Sequence, residues 1–311
     1  MASIRELRKR IRSIRNLSQV TRAMEMVAAS RMRRAQEQVT ASRPYAAKAW
    51  ELLTQLVAQR AVVDVQAPLL TDRDPVRAVA LILITGDRGL AGSYNSAMVR
   101  AATQFLDSRD GAGQRLITVG RKGRDAMLRA GYTIEAEFGD LPERPRERDV
   151  TPIARLATDG FLNGASDAVY IGYTDFISVL RQQPWVRQLL PLHPDALTDA
   201  HGSEERRPVM ADYLRDTPPL LAGGYSSEPP METLLEQVVR RFVELQIYQA
   251  VVESLASEHA ARMVAMRNAT ENANDLLKDL TMTYNKLRQQ SITEEMLDIA
   301  GGAEALRAAA G

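Results

Sequence analysis

The stretch METLLEQVVRRFVELQIYQAVVESLASEHAARMVAMRNATENANDLLKDLTMTYNKL, residues 231–287, decides the fold of this 311-residue chain. Steps of four and three residues along it meet apolar side chains at 14 of 17 positions, the exceptions being Gln249, His259 and Thr270. A heptad pattern kept this long without proline or glycine is typical of a coiled coil. Its length would be roughly 85 Å at 1.5 Å per residue. The pattern predicts one long helix that packs against another helix.

The residues around this stretch predict where the long helix begins and ends. Ser227, followed by Pro229 and Pro230, is suited to a helix start, because proline is favoured in a first turn. Gly301 and Gly302 are suited to a helix stop, because glycine ends helices without steric cost. We therefore expect a single helix that begins near residue 227 and stops near residue 301.

The N-terminus predicts the partner helix. In SIRE, residues 3–6, Ser3 and Glu6 have the spacing of a capping box, so a helix is expected from about residue 3. A narrow apolar stripe follows, with one slip of phase after Ile14. Its positions are Ile4, Leu7, Ile11 and Ile14, then Leu17, Val20, Met24 and Val27. Such a stripe predicts a second helix packed against the first.

Proline then predicts a break in this N-terminal helix. Pro44 lacks a backbone N–H and is expected to kink or interrupt the helix. A helical pattern resumes in YAAKAWELLTQLVAQR, residues 45–60.

An alternating region lies between the two terminal helices. Four segments have the apolar character of strands: residues 77–85, 115–120, 132–138 and 167–174. Helical patterns separate the first three, at residues 96–108 and 121–131. This alternation predicts an α/β domain with a Rossmann-like, mostly parallel sheet. The polar segment 193–208 is expected to be an exposed loop.

These patterns predict three parts of the chain. We expect an N-terminal coiled-coil helix over residues 1–60, a central α/β domain over 61–225 and a C-terminal coiled-coil helix over 226–311. The predicted fold class is therefore α/β plus a long antiparallel coiled coil made by the two terminal helices.

Composition excludes several classes of protein. The chain has no cysteine, which removes disulfides, thiolate nucleophiles and cysteine-ligated zinc. Its longest apolar run, residues 78–84, is far shorter than the ~20 residues of a membrane-spanning helix. Acidic residues interrupt the arginine-rich start, unlike a transit peptide, so we expect this segment to be mature structure.

Charge is distributed unevenly along the chain. Residues 1–43 carry 11 Lys and Arg but 3 acidic residues, so this part alone is strongly basic. A basic helix can be a solvated surface or a binding site for a polyanion such as nucleic acid. Both interpretations stay open from charge alone, although aromatic residues for base stacking are missing from this helix.

The sequence LILITGDRGLAGSYN, residues 81–95, raises the question of a phosphate-binding loop. Its glycines, Gly86, Gly89 and Gly92, have neither the G-x-G-x-x-G spacing of a dinucleotide site nor the lysine of a P-loop. Asp87 also lies where a phosphate would approach. We therefore favour a tight turn between a strand and a helix, and expect no cofactor.

No other motif predicts catalysis or metal binding. The three histidines, His193, His201 and His259, lack metal-ligand spacing, and a nucleophile elbow is missing. Three hypotheses remain from the residues: a mechanical shaft, a basic nucleic-acid-binding or scaffold protein, and an enzyme built on the central sheet. The unbroken heptad favours the shaft.

Four segments resemble the gamma subunit of rotary ATP synthases. They are TRAMEMVAASRMRRAQ (21–36), TGDRGLAGSYN (85–95), LASEHAARMVAMRNATENA (255–273) and YNKLRQQSITEEMLDIAGGAEAL (284–306). The resemblance covers the whole chain, and the last two segments are highly specific.

The resemblance implies a rotor shaft. The terminal helices would form an antiparallel coiled coil inserted into a ring of alpha and beta subunits, and the α/β domain would lie outside it. The shaft would couple ion flow to ATP synthesis or hydrolysis at the beta subunits. Its partners would be the alpha, beta and epsilon subunits and the membrane c-ring. The shaft itself would bind no nucleic acid, metal or cofactor, would not be catalytic and would not insert into the membrane.

The resemblance also implies the residues that contact these partners. Arg288 and Gln289 match positions that contact an acidic loop of beta, and Thr293 and Glu295 match neighbouring positions tied to coupling. Met24 matches a position where an added charge disturbs coupling.

Two further residues, Tyr213 and Asp216, resemble positions at the foot that face the membrane ring or epsilon. Without cysteines for thiol regulation or a transit peptide, we expect a bacterial protein held peripherally on the cytoplasmic side of the plasma membrane.

Overall fold

The computed structural model describes residues 4–63, 67–109, 111–193, 209 and 231–309. The helices are α1 (Ile4–Val63), α2 (Tyr94–Ser108), α3 (Arg121–Arg129), α4 (Glu147–Leu162) and α5 (Met231–Ala309), with a short 3-10 helix at Pro68–Leu70. The strands are β1 (Ala78–Ile84), β2 (Gly113–Val119), β3 (Ile134–Phe138), β4 (Ala168–Phe176) and β5 (Gln182–Leu190).

The chain divides into two compact units. The central unit is Ala28–Arg262, and the paired-helix unit combines Met1–Val27 with Met263–Gly311. Helices α1 and α5 each contribute to both units.

The central unit is built on one five-stranded sheet in the order β3-β2-β1-β4-β5. Its first four strands in this order are parallel, and β5 is antiparallel to β4, so the predicted mostly parallel sheet is confirmed. At the centre of the sheet, Leu81 of β1 is aligned with Leu116 of β2 and Tyr170 of β4.

Strand β1 separates two hydrophobic cores because its side chains alternate between the two faces of the sheet. Val79, Leu81 and Leu83 pack with α2 and α3 on one face. Ala80 and Ile82 pack on the other face with α4 and with the parts of α1 and α5 that belong to this unit. There the ring of Trp50 lies 5.3 Å from the ring of Phe242.

Two elements of the sheet domain are not predicted from the sequence, namely α4 and β5. Pro152 lies inside α4. Because proline disfavours a helix interior, the sequence pattern of this segment does not indicate a helix. Pro184 lies in β5, which pairs with β4 and forms an edge of the sheet. Proline is tolerated on an edge strand because the N–H that it lacks is not needed by a second neighbour.

The predicted interruption at Pro44 and the predicted helix stop at Gly301 and Gly302 are wrong. Helix α1 continues through Pro44, and the turns that follow are anchored by the buried side chains of Ala46, Trp50 and Leu53. Helix α5 continues through Gly301 and Gly302 to Ala309. Each glycine costs about 1 kcal/mol in a helix, but the alanine-rich flank that follows has high helix propensity. The predicted capping box at Ser3 and the predicted start at Ser227 lie outside the described residues.

The predicted slip of phase in the first helix is also wrong. Leu17, Val20 and Val27 are 50%, 55% and 51% exposed, whereas Thr21 is buried. The heptad therefore continues unchanged beyond Ile14. Its positions are Ile4, Leu7, Ile11, Ile14, Ser18, Thr21, Glu25 and Ala28. In this segment the seam positions Ser18, Thr21 and Glu25 are polar. The sequence pattern therefore pointed to the apolar residues beside the seam instead.

The seam predicted for the C-terminal helix is confirmed where α5 belongs to the paired-helix unit. Its a and d positions are buried or half-buried, while most neighbouring positions are exposed. These positions are Met263, Met266, Thr270, Ala273, Leu277, Leu280, Tyr284 and Leu287. Earlier in α5 the helix is buried on several sides, since it runs through the core of the central unit.

Candidate partner-binding surface

Direct contacts define how α1 and α5 pair in the paired-helix unit. Glu25 forms an ion pair with Arg267, with 2.9 Å between Oε1 and Nε. The Thr21 and Thr270 hydroxyls are 2.7 Å apart in the buried seam, and the Arg8 Nη2 donates to the Tyr284 hydroxyl at 2.8 Å. Residue numbers fall along α1 as they rise along α5, so the helices are antiparallel, as the sequence predicts.

The heptad fixes which residues lie opposite one another at the end of this pairing. Because Thr21 lies opposite Thr270, Ile4 lies opposite Leu287. Helix α5 therefore extends beyond the described part of α1 from residue 288 onward. This segment, residues 288–309, is called the α5 extension below.

The α5 extension carries four of the residues that the sequence predicts to contact partners. Arg288 and Glu295 are seven residues apart and share one face of the helix, and Gln289 and Thr293 share the neighbouring face. All four side chains are exposed. The Thr293 hydroxyl donates to the Gln289 carbonyl oxygen at 2.9 Å.

Arg288 is available to a partner. Within the described residues, no carboxylate lies within ion-pair distance of its guanidinium. A planar guanidinium with five N–H donors is suited to bind a carboxylate through two parallel hydrogen bonds.

The same segment exposes large apolar side chains. Ile292 and Ile299 lie on the face of Arg288, and Met296 lies on the face of Gln289. Together with Leu297 they are 45–73% exposed. Leu297 lies on the opposite side of the helix from Arg288. Exposed apolar side chains with charged neighbours are typical of surfaces that bind another protein, which makes this segment a candidate for such a surface.

The fifth predicted residue, Met24, lies elsewhere on the paired helices. It is half-buried beside the seam, next to Glu25 and therefore at the level of Arg267. Since about 21 residues of helix separate that level from Arg288, the two positions are roughly 32 Å apart along the axis. Met24 and the α5 extension therefore form two separate parts of the candidate surface. Tyr213 and Asp216, and the loop 194–208, lie outside the described residues.

The glycine loop of the central unit joins β1 to α2, which agrees with the strand-to-helix turn expected from its spacing. Leu90 and Gly92 have positive φ angles of 62° and 54°. The Gly86 N–H donates to Asn95 Oδ1 at 2.9 Å. The Arg262 guanidinium of α5 donates to the Gly89 carbonyl oxygen at 3.2 Å. Here the loop contacts the chain's own helix.

Two carboxylates occupy the crevice where a Rossmann-like sheet would bind phosphate. Asp87 accepts the backbone N–H of Arg121, at the start of α3, at 3.0 Å. The Glu258 carboxylate lies so close to Gly86 that a Cβ there would be 2.8 Å from its Cδ. The space that remains between these groups is about 40 Å³. Negative charge and lack of room both oppose a nucleotide.

We therefore expect the isolated chain to bind neither ATP nor NAD tightly. The backbone N–H groups of Gly86 and Arg121 already donate to Asn95 and Asp87, and the carboxylates of Asp87 and Glu258 would repel a phosphate. Equilibrium dialysis with each nucleotide checks this expectation, with a P-loop protein as the positive control. Stoichiometric binding at low-micromolar concentration would contradict it.

A buried histidine lies beside this crevice. His259 is 6% exposed, and its Nδ1 is 3.3 Å from an Arg262 guanidinium nitrogen. Burial, together with the positive charges of Arg262 and Arg31, lowers the pKa of His259 from 6.5 to about 4. The imidazole is therefore neutral at physiological pH, as expected for a packing residue rather than an acid-base catalyst.

His259 should make the folded chain sensitive to acid. Below pH 6.5 the unfolded chain binds a proton at this histidine more readily than the folded chain, and the resulting loss of stability is complete below pH 4. The difference in pKa corresponds to about 3 kcal/mol in total. Chemical denaturation between pH 7.5 and 4 checks this, with His259→Gln as the comparison. If both proteins lose stability equally, the histidine is not responsible.

Comparisons with known proteins now identify the architecture. Solved chains with this arrangement include one from the Euglena gracilis mitochondrial ATP synthase, OSCP/F1/c-ring, in rotational state 3. It has a TM-score of 0.65 and 22% identity, and the match covers 98% of this chain and 95% of that one. Another belongs to the Tetrahymena thermophila mitochondrial ATP synthase central stalk and c-ring, with a TM-score of 0.59 and 24% identity over 80% of this chain and 99% of that one. The chain thus shares the fold of these two ATP synthase chains.

Sequence relatives give the family. The family model described as ATP synthase matches residues 3–306. ATP synthase gamma chains from Roseiflexus sp. (strain RS-1) and Chloroflexus aurantiacus (strain ATCC 29366 / DSM 635 / J-10-fl) are 46% and 44% identical, each over 98% of this chain and 99% of its own length. The chain belongs to the ATP synthase gamma chain family. The alternative of a nucleic-acid-binding or scaffold protein receives no support from these relatives.

Within the described residues, none of the helices is long and apolar enough to cross a membrane. The same residues contain no cluster of histidine, aspartate and glutamate side chains that could hold a metal ion.

Proposed function

We propose that this chain is the central rotor shaft of an ATP synthase, which couples transmembrane ion flow to ATP synthesis or hydrolysis. The α5 extension carries the proposal, because it presents exposed charged and apolar side chains beyond the paired helices. Membership of the gamma chain family supports the same role. The chain is non-catalytic, and the chemistry occurs on the beta subunits.

The proposed partners follow from the complexes in which similar chains have been solved. Those complexes include F1, the c-ring and the central stalk. For this chain we propose that alpha and beta subunits surround the paired-helix unit, and that epsilon and the c-ring contact the central unit. Tyr213 and Asp216 are the proposed residues for this second contact.

The proposed roles of the surface residues follow from their chemistry. Arg288 and Gln289 bind carboxylates on a beta subunit, and Thr293 and Glu295 extend this polar contact by one and two turns. Met24 lies at a second level of the shaft, where an added charge would disturb coupling. These contacts break and form again as the shaft turns, so they act on turnover rather than on folding.

We further propose that the protein is bacterial and is held peripherally on the cytoplasmic side of the plasma membrane. The relatives described above are bacterial gamma chains. For functional purposes we divide the chain into a first coiled-coil helix (1–60), a central α/β domain (61–225) and a second coiled-coil helix (226–311).

Single-molecule rotation tests the proposal. The chain has no cysteine, so Leu128→Cys on the exposed side of α3 gives a unique attachment point for a bead. We expect the bead to rotate in one direction when ATP is added to immobilised complexes with alpha and beta subunits, and to stop without ATP. A chain that fails to assemble with the ring, or that co-purifies with nucleic acid instead, would overturn the proposal.

A further inference from the structure

Two buried serines of α5 form hydrogen bonds with the backbone of a single strand residue. The Ser254 Oγ accepts the backbone N–H of Thr174 in β4 at 3.1 Å, and the Ser257 Oγ donates to the Thr174 carbonyl oxygen at 3.1 Å. The serines are 1% and 0% exposed. Ser254 also forms a hydrogen bond with the hydroxyl of the buried Tyr94 at the start of α2. Ser254, Ser257 and Thr174 are called the backbone clamp below.

The pairing of β4 explains why Thr174 needs these serines. On one side, the pairing of β4 with β1 reaches Gly172 and ends before Thr174. On the other side, Thr174 is aligned with Pro184 of β5, which has no N–H to donate. In a non-hydrogen-bonded antiparallel pair, the N–H and C=O of a residue both point away from the partner strand. The serines therefore satisfy backbone groups that the sheet leaves unpaired, as buried backbone groups require.

Earlier in α5, apolar side chains pack against the sheet. Val243 and Val251 are buried in the same core as Ile82 and Ile171. Apolar attraction is not directional, whereas a hydrogen bond weakens steeply when its angle or length changes. The backbone clamp therefore opposes a rotation of α5 about its own axis more strongly than an apolar contact of similar size does.

The backbone clamp lies close to the point where α5 leaves the central unit. This unit ends at Arg262, five residues beyond Ser257. Ser254 and Arg262 are eight residues apart and share one face of the helix. The contact of Arg262 with the Gly89 carbonyl oxygen is therefore on the face that carries the clamp. Directional contacts with the α/β domain are thus present in the last turns of α5 inside this unit.

We infer that the backbone clamp is the joint through which torque passes between the α/β domain and α5. This inference rests on the proposed rotor function and assigns residues to one step of it. Torque that enters the central unit has to reach α5 before it reaches the paired-helix unit, and during hydrolysis it takes the reverse path. Strand β4 is suited to this load, because it is held by β1 on one side and by β5 on the other.

An ion pair between α5 and α4 is the competing joint. Arg241 pairs with Glu147 of α4, and the two side chains are 44% and 38% exposed. Exposed ion pairs contribute little to stability and are screened by salt. This contact also connects α5 to a helix rather than to the sheet. We therefore assign the stiffness of the joint to the buried clamp.

The angular fluctuation of a stalled rotor tests this inference. In complexes with alpha and beta subunits held without ATP, a bead is attached at Leu128→Cys on α3 or at Gln237→Cys, an exposed position of α5. From position 128 the elastic path to the ring crosses the clamp, whereas from position 237 it runs along α5 itself. The mean-square angular fluctuation of the bead is inversely proportional to the torsional stiffness of the path.

We expect Ser254→Ala combined with Ser257→Ala to increase the mean-square fluctuation at position 128 by about twofold or more, because both directional bonds are lost. The fluctuation at position 237 should not change. Each single serine variant should give a smaller increase in the same direction. The single variants carry the test if the double variant does not assemble.

Two control variants separate the clamp from general loosening. Val243→Ala removes a buried apolar contact of α5 without touching the clamp, and thermal unfolding shows how much stability it loses beside the serine variants. Glu147→Gln removes the competing ion pair. Neither control should increase the fluctuation at position 128.

Several results would overturn the inference. An unchanged fluctuation at position 128 in the serine variants would do so. An equal increase at both attachment points, or an equal increase in Val243→Ala, would show general loosening instead. An increase in Glu147→Gln alone would assign the joint to the ion pair. If the bead on the chain with both serines intact does not rotate with ATP from either attachment point, the proposed function itself is wrong.

Discussion

Arg288→Ala should leave the chain folded while it slows ATP turnover in the assembled complex by about tenfold or more. A hydrogen bond to a charged group contributes about 1.5–3 kcal/mol, and each 1.4 kcal/mol lost from a transition state costs about tenfold in rate. The exposed guanidinium makes no ion pair within the described residues, so its removal should change the free energy of unfolding by less than about 0.5 kcal/mol. Steady-state ATPase assays and thermal unfolding measure the two effects.

Three comparisons make this experiment specific. Gln289→Ala should act in the same direction but more weakly, because an uncharged amide forms weaker hydrogen bonds. Arg288→Lys keeps the charge but loses the planar guanidinium that can form two parallel hydrogen bonds. It should therefore be more active than Arg288→Ala but less active than the unchanged chain. Lys286→Ala removes an exposed cation two residues away and serves as the control. Unchanged melting combined with unchanged turnover in Arg288→Ala would show that the arginine is only solvated.

Met24→Lys should uncouple the complex. Met24 is half-buried on the flank of the helix pair, so a lysine there can extend its ammonium group to solvent without loss of the fold. The new charge would bind a carboxylate on the ring at one rotor angle, with about 1.5–3 kcal/mol per charge-assisted hydrogen bond. This attraction would favour one rotor angle over the others. We therefore expect ion pumping to fall more than ATP hydrolysis.

The measurement compares ATP hydrolysis with ATP-driven ion pumping in reconstituted vesicles. Met24→Gln, of similar length but uncharged, should stay coupled. Met26→Lys places the same charge two residues away on another side of α1 and should also stay coupled. If hydrolysis and pumping vanish together in Met24→Lys, or if neither changes, the uncoupling mechanism is wrong.

The sequence predicted the architecture well because the two terminal helices obey a long, regular pattern. Four strands of the sheet were also predicted, because apolar runs or, in β3, alternating apolar and acidic residues mark them. Strand β5 and helix α4 escaped prediction because Pro184 and Pro152 weaken their signals, and tertiary pairing overrides local preference there. For the same reason Pro44, Gly301 and Gly302 suggested breaks that the packed or alanine-rich helices tolerate.

The candidate surface was only partly predictable. The resemblance indicated Arg288, Gln289, Thr293 and Glu295, but the residues alone did not distinguish them from any solvated surface. The phase of α1 was predicted wrongly because Leu17, Val20 and Val27 were assigned to the seam. Hydrophobicity alone does not show which of two neighbouring stripes on α1 faces α5. The contact of Thr21 with Thr270 identifies the stripe that does. The crevice-filling role of Glu258 depends on long-range packing that no local motif encodes.

The hydroxyl pair of Thr21 and Thr270 helps to fix the axial alignment of the two helices of the shaft. If α1 slid by one heptad along α5, Thr21 would face Leu277 or Met263, and Thr270 would face Ile14 or Ala28. Each hydroxyl would then keep its bond to a backbone carbonyl of its own helix, Ser18 for Thr21 and Met266 for Thr270, but would lose the hydrogen bond across the seam. A net hydrogen bond contributes about 0.5–1.5 kcal/mol to stability. Only one axial alignment keeps the two hydroxyls together, so it sets how far the tip of α5 protrudes. Together with the Glu25–Arg267 and Arg8–Tyr284 contacts, two small side chains midway along the rotor thus set its reach.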